Sequence, residues 1–522
     1  MPASTATGLT QSPTSAIPRP TWLIWSGRSP PRSRRAESSL RSKAGTTSTP
    51  SVIRLRRSQR NLSVNVSDPS RPRAVGLALR SSVPPTTCIA SGEPRAMSSV
   101  PGSALAIARA AVAPLAAAFS GAGYRLYLVG GLIRDDLLGR VRDDVDYDLT
   151  TDARPETIKT LVDPFADAVW TAGERFGTIA CRIDGAVYEI TTHRADAYDE
   201  SSRKPIVEFG DNVHDDLARR DFTVNAMAID LADGALVDPF GGGADLKAGR
   251  LRTPLDPEIS FSDDPLRMLR AARFIATLGL APEPALVAAV GAMRERMAIV
   301  SVERVRDELQ KMLLLPDPRP GFLFLSSTGL LADVLPAIAA QGLDADRVAA
   351  LTVAVTPEPT DRWAALLLDA PAPDREGELR RLKPSGELAR SVAWLTDAAS
   401  WLEVGTVPTS PEALRRLAAA APDGLTLEAR LSFVMALRAG ADTADLETAM
   451  AEIGRLRQTE PDLDKPVAPL SGIEVAAVLD IEFGPLIGQA HAALLEHRFV
   501  HGPLQRDEAI DVVRRWWAET SA

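Results

Sequence analysis

Residues 128–151 read LVGGLIRDDLLGRVRDDVDYDLTT. An aliphatic run ends in Gly130 and Gly131, a stretch carrying Arg134 and Asp135 follows, and the segment closes on RDDVDYDLTT. The first part reads as strand, glycine turn and helix. Glycines there let backbone N–H groups approach a phosphate, and the helix N-terminus adds a favourable dipole. The pattern is neither GxGxxG nor GxxxxGK(S/T), so dinucleotide folds and P-loop NTPases lose support. In the second part Asp144, Asp146 and Asp148 alternate, and on a strand all three point to one face. Like charges stacked in that way repel unless cations neutralise them. Mg²⁺ takes oxygen ligands and needs only one or two carboxylates plus substrate phosphates. Two such ions stabilise the attacking and leaving oxygens of an in-line phosphoryl displacement. A solvated acidic hairpin would explain the aspartates alone, but not a glycine turn so close before them.

Working outward, GTIACRI (177–183) and AVYEITTHR (186–194) are further strand candidates, rich in β-branched residues. Glu189 stands on the second of these, either as a third acidic group of the site or as a salt-bridge partner. Upstream, SALAIARAAVAPLAAAFSGAG (103–123) is an Ala-rich amphipathic helix closed by glycine. Beyond about residue 245 the pattern becomes almost wholly helical, with loops marked by proline. The fold class is therefore α+β: a mixed-sheet head followed by a long all-helical part.

A length of 522 residues suggests two to four domains, and 45% hydrophobic with 24% charged residues is ordinary for a chain with a buried core. No apolar run reaches the roughly 18 residues of a membrane-spanning helix. Two cysteines, Cys88 and Cys181, rule out a disulfide scaffold and any CxxC zinc site. The net charge of −9 hides an asymmetry. Residues 1–96 hold 15 basic and 3 acidic residues (+12); the rest holds 44 and 65 (−21). Nucleic-acid binding would need a local basic stripe on an acidic body. Residues 1–96 are Ser/Pro/Thr/Arg-rich with no lasting apolar period, which points to disorder. They read as an over-extended start with Met97 as the real initiator, or as an Arg/Ser-rich transit peptide. With 52 Arg against 7 Lys, a GC-rich bacterial genome favours the first.

Two more blocks carry chemistry. In DDLARRDFTVNAMAID (215–230), Arg219 and Arg220 beside Asp221 and Asn225 offer a guanidinium for phosphate and polar groups for ribose. In FSDDPLRMLRAARF (261–274), Pro265 suits the first turn of a helix that Ser262, Asp263 or Asp264 could cap. Asp264 and Arg267, three apart, are neighbours on one face. At the edge of a nucleobase the carboxylate accepts from the exocyclic amine of C or A and the guanidinium donates to ring acceptors. U and G would set an acceptor against an acceptor, a mismatch of about 1–3 kcal/mol, or roughly 5- to 150-fold. An N-cap with an ordinary i,i+3 ion pair is the plainer reading of the same residues. Arg270 and Arg273 extend the basic stripe.

Together these blocks resemble the nucleotidyltransferase superfamily (DNA polymerase β-like head), and within it the bacterial class II CCA-adding enzymes, or tRNA nucleotidyltransferases, close relatives of bacterial poly(A) polymerases. The resemblance is dense over 103–336 and looser to 522. It implies a metal motif DxDxxT at Asp146 and Asp148, with Asp144 and Asp146 as a competing register, and Mg²⁺ as cofactor. It implies nucleotide contacts by Gly130, Gly131, Arg134, Arg220, Asp221, Asn225, Asp264, Arg267, Arg270 and Arg273. The implied activity is addition of CCA to the tRNA 3′ end from CTP and ATP in the cytoplasm, with poly(A) synthesis or partial CC- or A-addition as alternatives. TTHRADAYDESSRKP (191–205) resembles the loop that CC-only relatives tend to lack, and VERVRDELQKML (302–313) a structural helix behind the selecting one. Expected domains are the 1–96 extension, a catalytic head at 97–245, a helical neck at 246–336, and a tRNA-binding body and tail at 337–522. No membrane association is expected. The absence of His between 215 and 490 argues against the HD-type phosphohydrolase metal site of some relatives. ELRRLKPSGELAR (378–390) could follow an RNA backbone, whereas Trp516 and Trp517 read as core or interface residues.

Overall fold

The structure, a computed structural model, describes residues 104–140, 147–195, 208–342 and 345–521. The 1–96 extension with its Met97 boundary, Asp144, Asp146 and most of the 191–205 loop lie outside the described residues.

Helix α1 (Ala104–Gly121) buries Leu105, Ala108, Val112, Leu115 and Phe119, a stripe at spacings of three and four. It corrects one expectation: with 18 residues and a mean hydropathy of 1.6, it is long and apolar enough to cross a membrane by length and composition. Alanines supply much of that hydropathy, and Leu105, Val112, Leu115 and Phe119 belong to the core of the head, whereas Ile107 is exposed.

Among the described residues, nine strands follow in the head: β1 (Leu126–Val129), β2 (Tyr147–Thr151), β3 (Ala168–Trp170), β4 (Thr178–Ile183), β5 (Ala186–Thr192), β6 (Arg194–Ala195), β7 (Glu208–Phe209), β8 (Ala228–Asp230) and β9 (Leu236–Val237). Seven of them form one sheet in the order β3-β4-β5-β2-β1-β8-β9, while β6 and β7 pair apart. The β2/β5 pair is parallel and every other pair in the large sheet antiparallel. Strand β1 is buried along its whole length and alternates between two cores. Leu126 and Leu128 face the large core with Leu149 and Ile190, beside α1 and α2 (Gly131–Leu137) and α3 (Pro155–Val162). Tyr127 and Val129 face a smaller cluster with Val213 and Leu217 of α4 (Val213–Ala218). That second face carries Asp148 and Thr150 of β2 and Glu189 and Thr191 of β5.

After α5 (Gly242–Ala248) the chain turns helical: α6 (Pro257–Asp263), α7 (Leu266–Leu278), α8 (Pro284–Met293) and α9 (Val302–Leu313). Ser262 and Asp263 belong to α6, so neither caps α7. Asp264 does: its backbone is extended (φ −145°, ψ 100°) and its Oδ1 accepts the Leu266 N–H at 3.1 Å. Pro265 then opens the turn at φ −59°. Helices continue to Arg506–Thr520, and one apolar cluster runs from the head to Leu463. The last three helices build a core of their own from Leu470 to Val513, with Trp516 and Trp517 half-buried against it.

Candidate active site

Asp148 stands opposite Glu189 in the parallel β2/β5 pair. Register partners in a sheet share a face, so the two exposed carboxylates lie side by side. On the reverse face the preceding residues, Tyr147 and Tyr188, stack with ring centroids 4.5 Å apart. Glu189 is thus placed next to the aspartate motif.

The glycine turn meets this face. Gly130 has φ 81° and ψ −136°, a conformation open to glycine alone in practice. A β-carbon there would lie 3.2 Å from Arg220 Nη1 and 3.7 Å from Asp148 Oδ2. Gly130, Asp148 and Arg220 therefore converge on one spot. Asp216, one turn earlier on α4, pairs with Arg220 at 3.5 Å. Arg220 Nε is buried without a hydrogen-bond partner among the described residues. Such a donor is costly to leave unmade. Arg194 also has a buried, unpartnered Nε, and burial, with the Arg219 and Arg220 charges, pulls its pKa down against the field of Asp216. Two guanidiniums, Arg194 and Arg220, thus keep a buried, unmatched Nε–H near Asp216.

The remaining arginines behave differently. Arg134 turns inward, donating to Asp135 at 2.9 and 3.0 Å and to Asn225 Oδ1 at 2.6 Å. Asn225 Nδ2 donates to Asp221 Oδ1 at 2.9 Å, and Asp221 Oδ2 accepts from Arg270. Arg270 and Arg273 both bond the buried Glu308 of α9, at 3.2 and 2.6 Å. Arg134, Arg270 and Arg273 also surround the Phe274 ring at 4.4–5.5 Å, within cation–π reach. Three guanidiniums thus face three carboxylates in a closed network that ties α2 and the 215–230 block to α7 and α9. Burial pushes the Asp221 carboxyl up, but Arg270 and Asn225 outweigh it and hold the pKa below the ordinary range. Of the arginines expected at phosphate, Arg220 lies beside Asp148, while these three are occupied within the protein.

At the head of α7, Asp264 pairs with Arg304 of α9 at 2.7 Å rather than with Arg267. Arg267 donates to Ser260 O and Oγ at 3.2 and 2.8 Å, and to Arg219 O. Sequence reasoning missed Arg194, Ser260, Arg304 and Glu308. Glu308 and Arg304 lie four apart in 302–313, and only their partners in 264–273 distinguish them from ordinary surface charges.

The model described as Poly A polymerase head domain matches residues 126–252, and that described as probable RNA and SrmB-binding site of polymerase A matches 279–341. The CCA-adding enzyme of Lactobacillus helveticus is 42% identical over 222 residues, 42% of this chain and 54% of the relative. The chain thus spans about half the length of that curated relative. The CCA-adding enzyme of Lactiplantibacillus plantarum is 31% identical over 410 residues, 77% of this chain and 95% of the relative.

The chain belongs to the CCA-adding enzyme family.

Among solved structures, a Bacillus stearothermophilus CCA-adding enzyme in complex with CTP superposes with a TM-score of 0.62 at 28% identity, covering 80% of this chain and 99% of the other. The mixed-sheet head with a helical remainder is the fold expected of a CCA-adding enzyme. Its head match takes in Gly130, Asp148, Glu189 and Arg220, and the second match takes in Arg304 and Glu308. The helix with Asp264 and Arg267 lies between the two matched stretches.

Proposed function

We propose that this chain adds C, C and A in turn to the 3′ end of tRNA, taking them from CTP and ATP. The tRNA 3′ oxygen bonds to the α-phosphorus, the α–β phosphoanhydride breaks, and pyrophosphate leaves. The observation that carries this reading is the convergence of Asp148, its register partner Glu189 and Arg220 on the Gly130 turn.

The donor chemistry fits a hard divalent cation: exposed carboxylate oxygens on one sheet face, with the Arg220 guanidinium at the adjoining glycine turn. Among the described residues no three such side chains are grouped as a metal site, and Asp148 and Glu189 supply two. Asp146, outside the described residues, stands two positions before Asp148 and would join it in holding Mg²⁺. When bound, the ion would neutralise triphosphate charge and lower the pKa of the 3′ hydroxyl. Arg220 and the backbone at Gly130 and Gly131 would hold the triphosphate. Arg134, Asp221, Asn225, Arg270 and Arg273 would serve the nucleotide by fixing its pocket against α7. Asp264 and Arg267 would select the base. The head (97–245) and neck (246–336) would hold the reaction. The body and tail (337–522), with exposed Arg380, Lys383 and Arg390, would read tRNA by shape. On this reading the reaction would run in the cytoplasm.

The test is incubation with tRNA lacking its 3′ end, Mg²⁺ and each labelled nucleotide, read at single-nucleotide resolution. Addition that stops at CCA supports the proposal. A long A tail would move the chain to poly(A) synthesis, stopping after two Cs would move it to CC addition, and no incorporation would refute all three.

A further inference from the structure

We infer that Arg304 is a positioning residue for base selection: it freezes the Asp264 carboxylate and leaves it one free acceptor site. The inference rests on the reading above, in which Asp264 and Arg267 face the base.

The argument is a count of hydrogen-bonding sites. An ionised carboxylate has about four acceptor sites, two per oxygen. Asp264 Oδ1 accepts from Leu266 N at 3.1 Å and from Arg304 Nη1 at 3.4 Å. Oδ2 accepts from Arg304 Nη2 at 2.7 Å. One site on Oδ2 is left. A guanidinium has five N–H donors. Arg267 spends two from Nη1 on Ser260 and one from Nη2 on Arg219 O, leaving one Nη2–H and the Nε–H. One acceptor beside two donors complements the pairing edge of cytosine, with its amine, ring nitrogen and carbonyl. It also accepts the amine and ring nitrogen of adenine. Uracil and guanine present a carbonyl where the acceptor stands.

Without Arg304 the carboxylate keeps only the Leu266 bond, rotates, and offers several acceptor sites at variable angles. The fork of Arg304 reaches both oxygens at once, which a lysine ammonium, a point charge, cannot reproduce. Arg304 itself is exposed, 53% at the side chain, so its loss opens no cavity.

The experiment uses the full-length chain, tRNA lacking its 3′ end, and separate kcat and KM values for CTP, ATP, UTP and GTP. Wild type, Arg304→Ala, Arg304→Lys, Asp264→Asn and Arg267→Ala are compared, with Tm for each. Arg304→Ala should raise KM for CTP and ATP about tenfold and cut discrimination against UTP and GTP by a similar factor. Its kcat and Tm should be nearly unchanged. Arg304→Lys should recover KM in part but not discrimination. If Asp264→Asn or Arg267→Ala loses selection while Arg304→Ala keeps it, the role of Arg304 falls and the base-reading pair stands. If neither of the first two alters selection, the pair falls and Arg304 with it. Equal losses for all four nucleotides together with a lowered Tm would make Arg304 structural and overturn the proposal.

Discussion

The Asp221 carboxylate accepts from both Nε and Nη2 of Arg270, at 3.0 and 2.6 Å, across 49 residues of sequence. That contact joins the 215–230 block to α7, and Asn225 and Arg134 extend it to the glycine-turn helix. Removing Asp221 leaves Arg270 with Glu308 alone, which Arg273 also uses, so the part-buried network carries one unmatched charge. Asp221→Ala should therefore destabilise the protein by about 3 kcal/mol. Chemical denaturation would measure this, and a loss below a few tenths would show that the network is dispensable.

If Asp148 holds Mg²⁺ as proposed, Asp148→Ala should lower nucleotide transfer at least about a thousandfold, the cost of losing several kcal/mol of charge stabilisation at the reacting phosphate. Its Tm should stay near wild type because the side chain is exposed. Glu189→Gln discriminates between the two readings of that residue. A metal-site member would show a raised Mg²⁺ requirement, whereas a bystander would show an unchanged one.

Gly130→Ala places a methyl group 3.2 Å from Arg220 Nη1 on a backbone at φ 81°. The strained backbone costs about 1–3 kcal/mol. We expect transfer to fall about a hundredfold through displacement of Arg220. Single-turnover kinetics would check it, and an unaltered rate would remove the glycine turn from the site.

His193 is buried beneath the site, with Nδ1 2.9 Å from Thr150 Oγ1 and its ring beside Tyr127. Burial lowers its pKa below the ordinary 6.5, against the opposing pull of Asp216. The unfolded chain then binds the proton more readily, so stability is full above about pH 6.5 and falls as pH drops towards the folded value. Thermal melts from pH 7.5 to 5.5 should show a steeper loss for wild type than for His193→Gln, which retains a partner for Thr150. Parallel loss in the two proteins would exclude His193 as the source.

Much of the site was legible because its signals are short-range. Alternation in VDYDLTT and AVYEITT placed Asp148 and Glu189 on strands, and they emerge as register partners. The three-residue strands β3 and β8 and the two-residue β9 were not legible, since a period of two needs more residues than they have. Arginine roles were the harder part. Arg134, Arg220 and Arg270 look equivalent in sequence, and only tertiary pairing turns Arg134 and Arg270 inward and leaves Arg220 beside Asp148. Glu308 is not legible in the sequence, because one buried carboxylate in an amphipathic helix has no local signature.

The Tyr147–Tyr188 stack has a consequence for how this site tolerates change. A slip of one residue in β2 against β5 would carry the Asp148 carboxylate to the apolar side, part it from Glu189 and break the ring stack at once. The two rings therefore act as an indexing pin for the opposite surface. Substitutions at either tyrosine would be felt as misaligned carboxylates, although neither ring shares the face on which the reaction is proposed to occur.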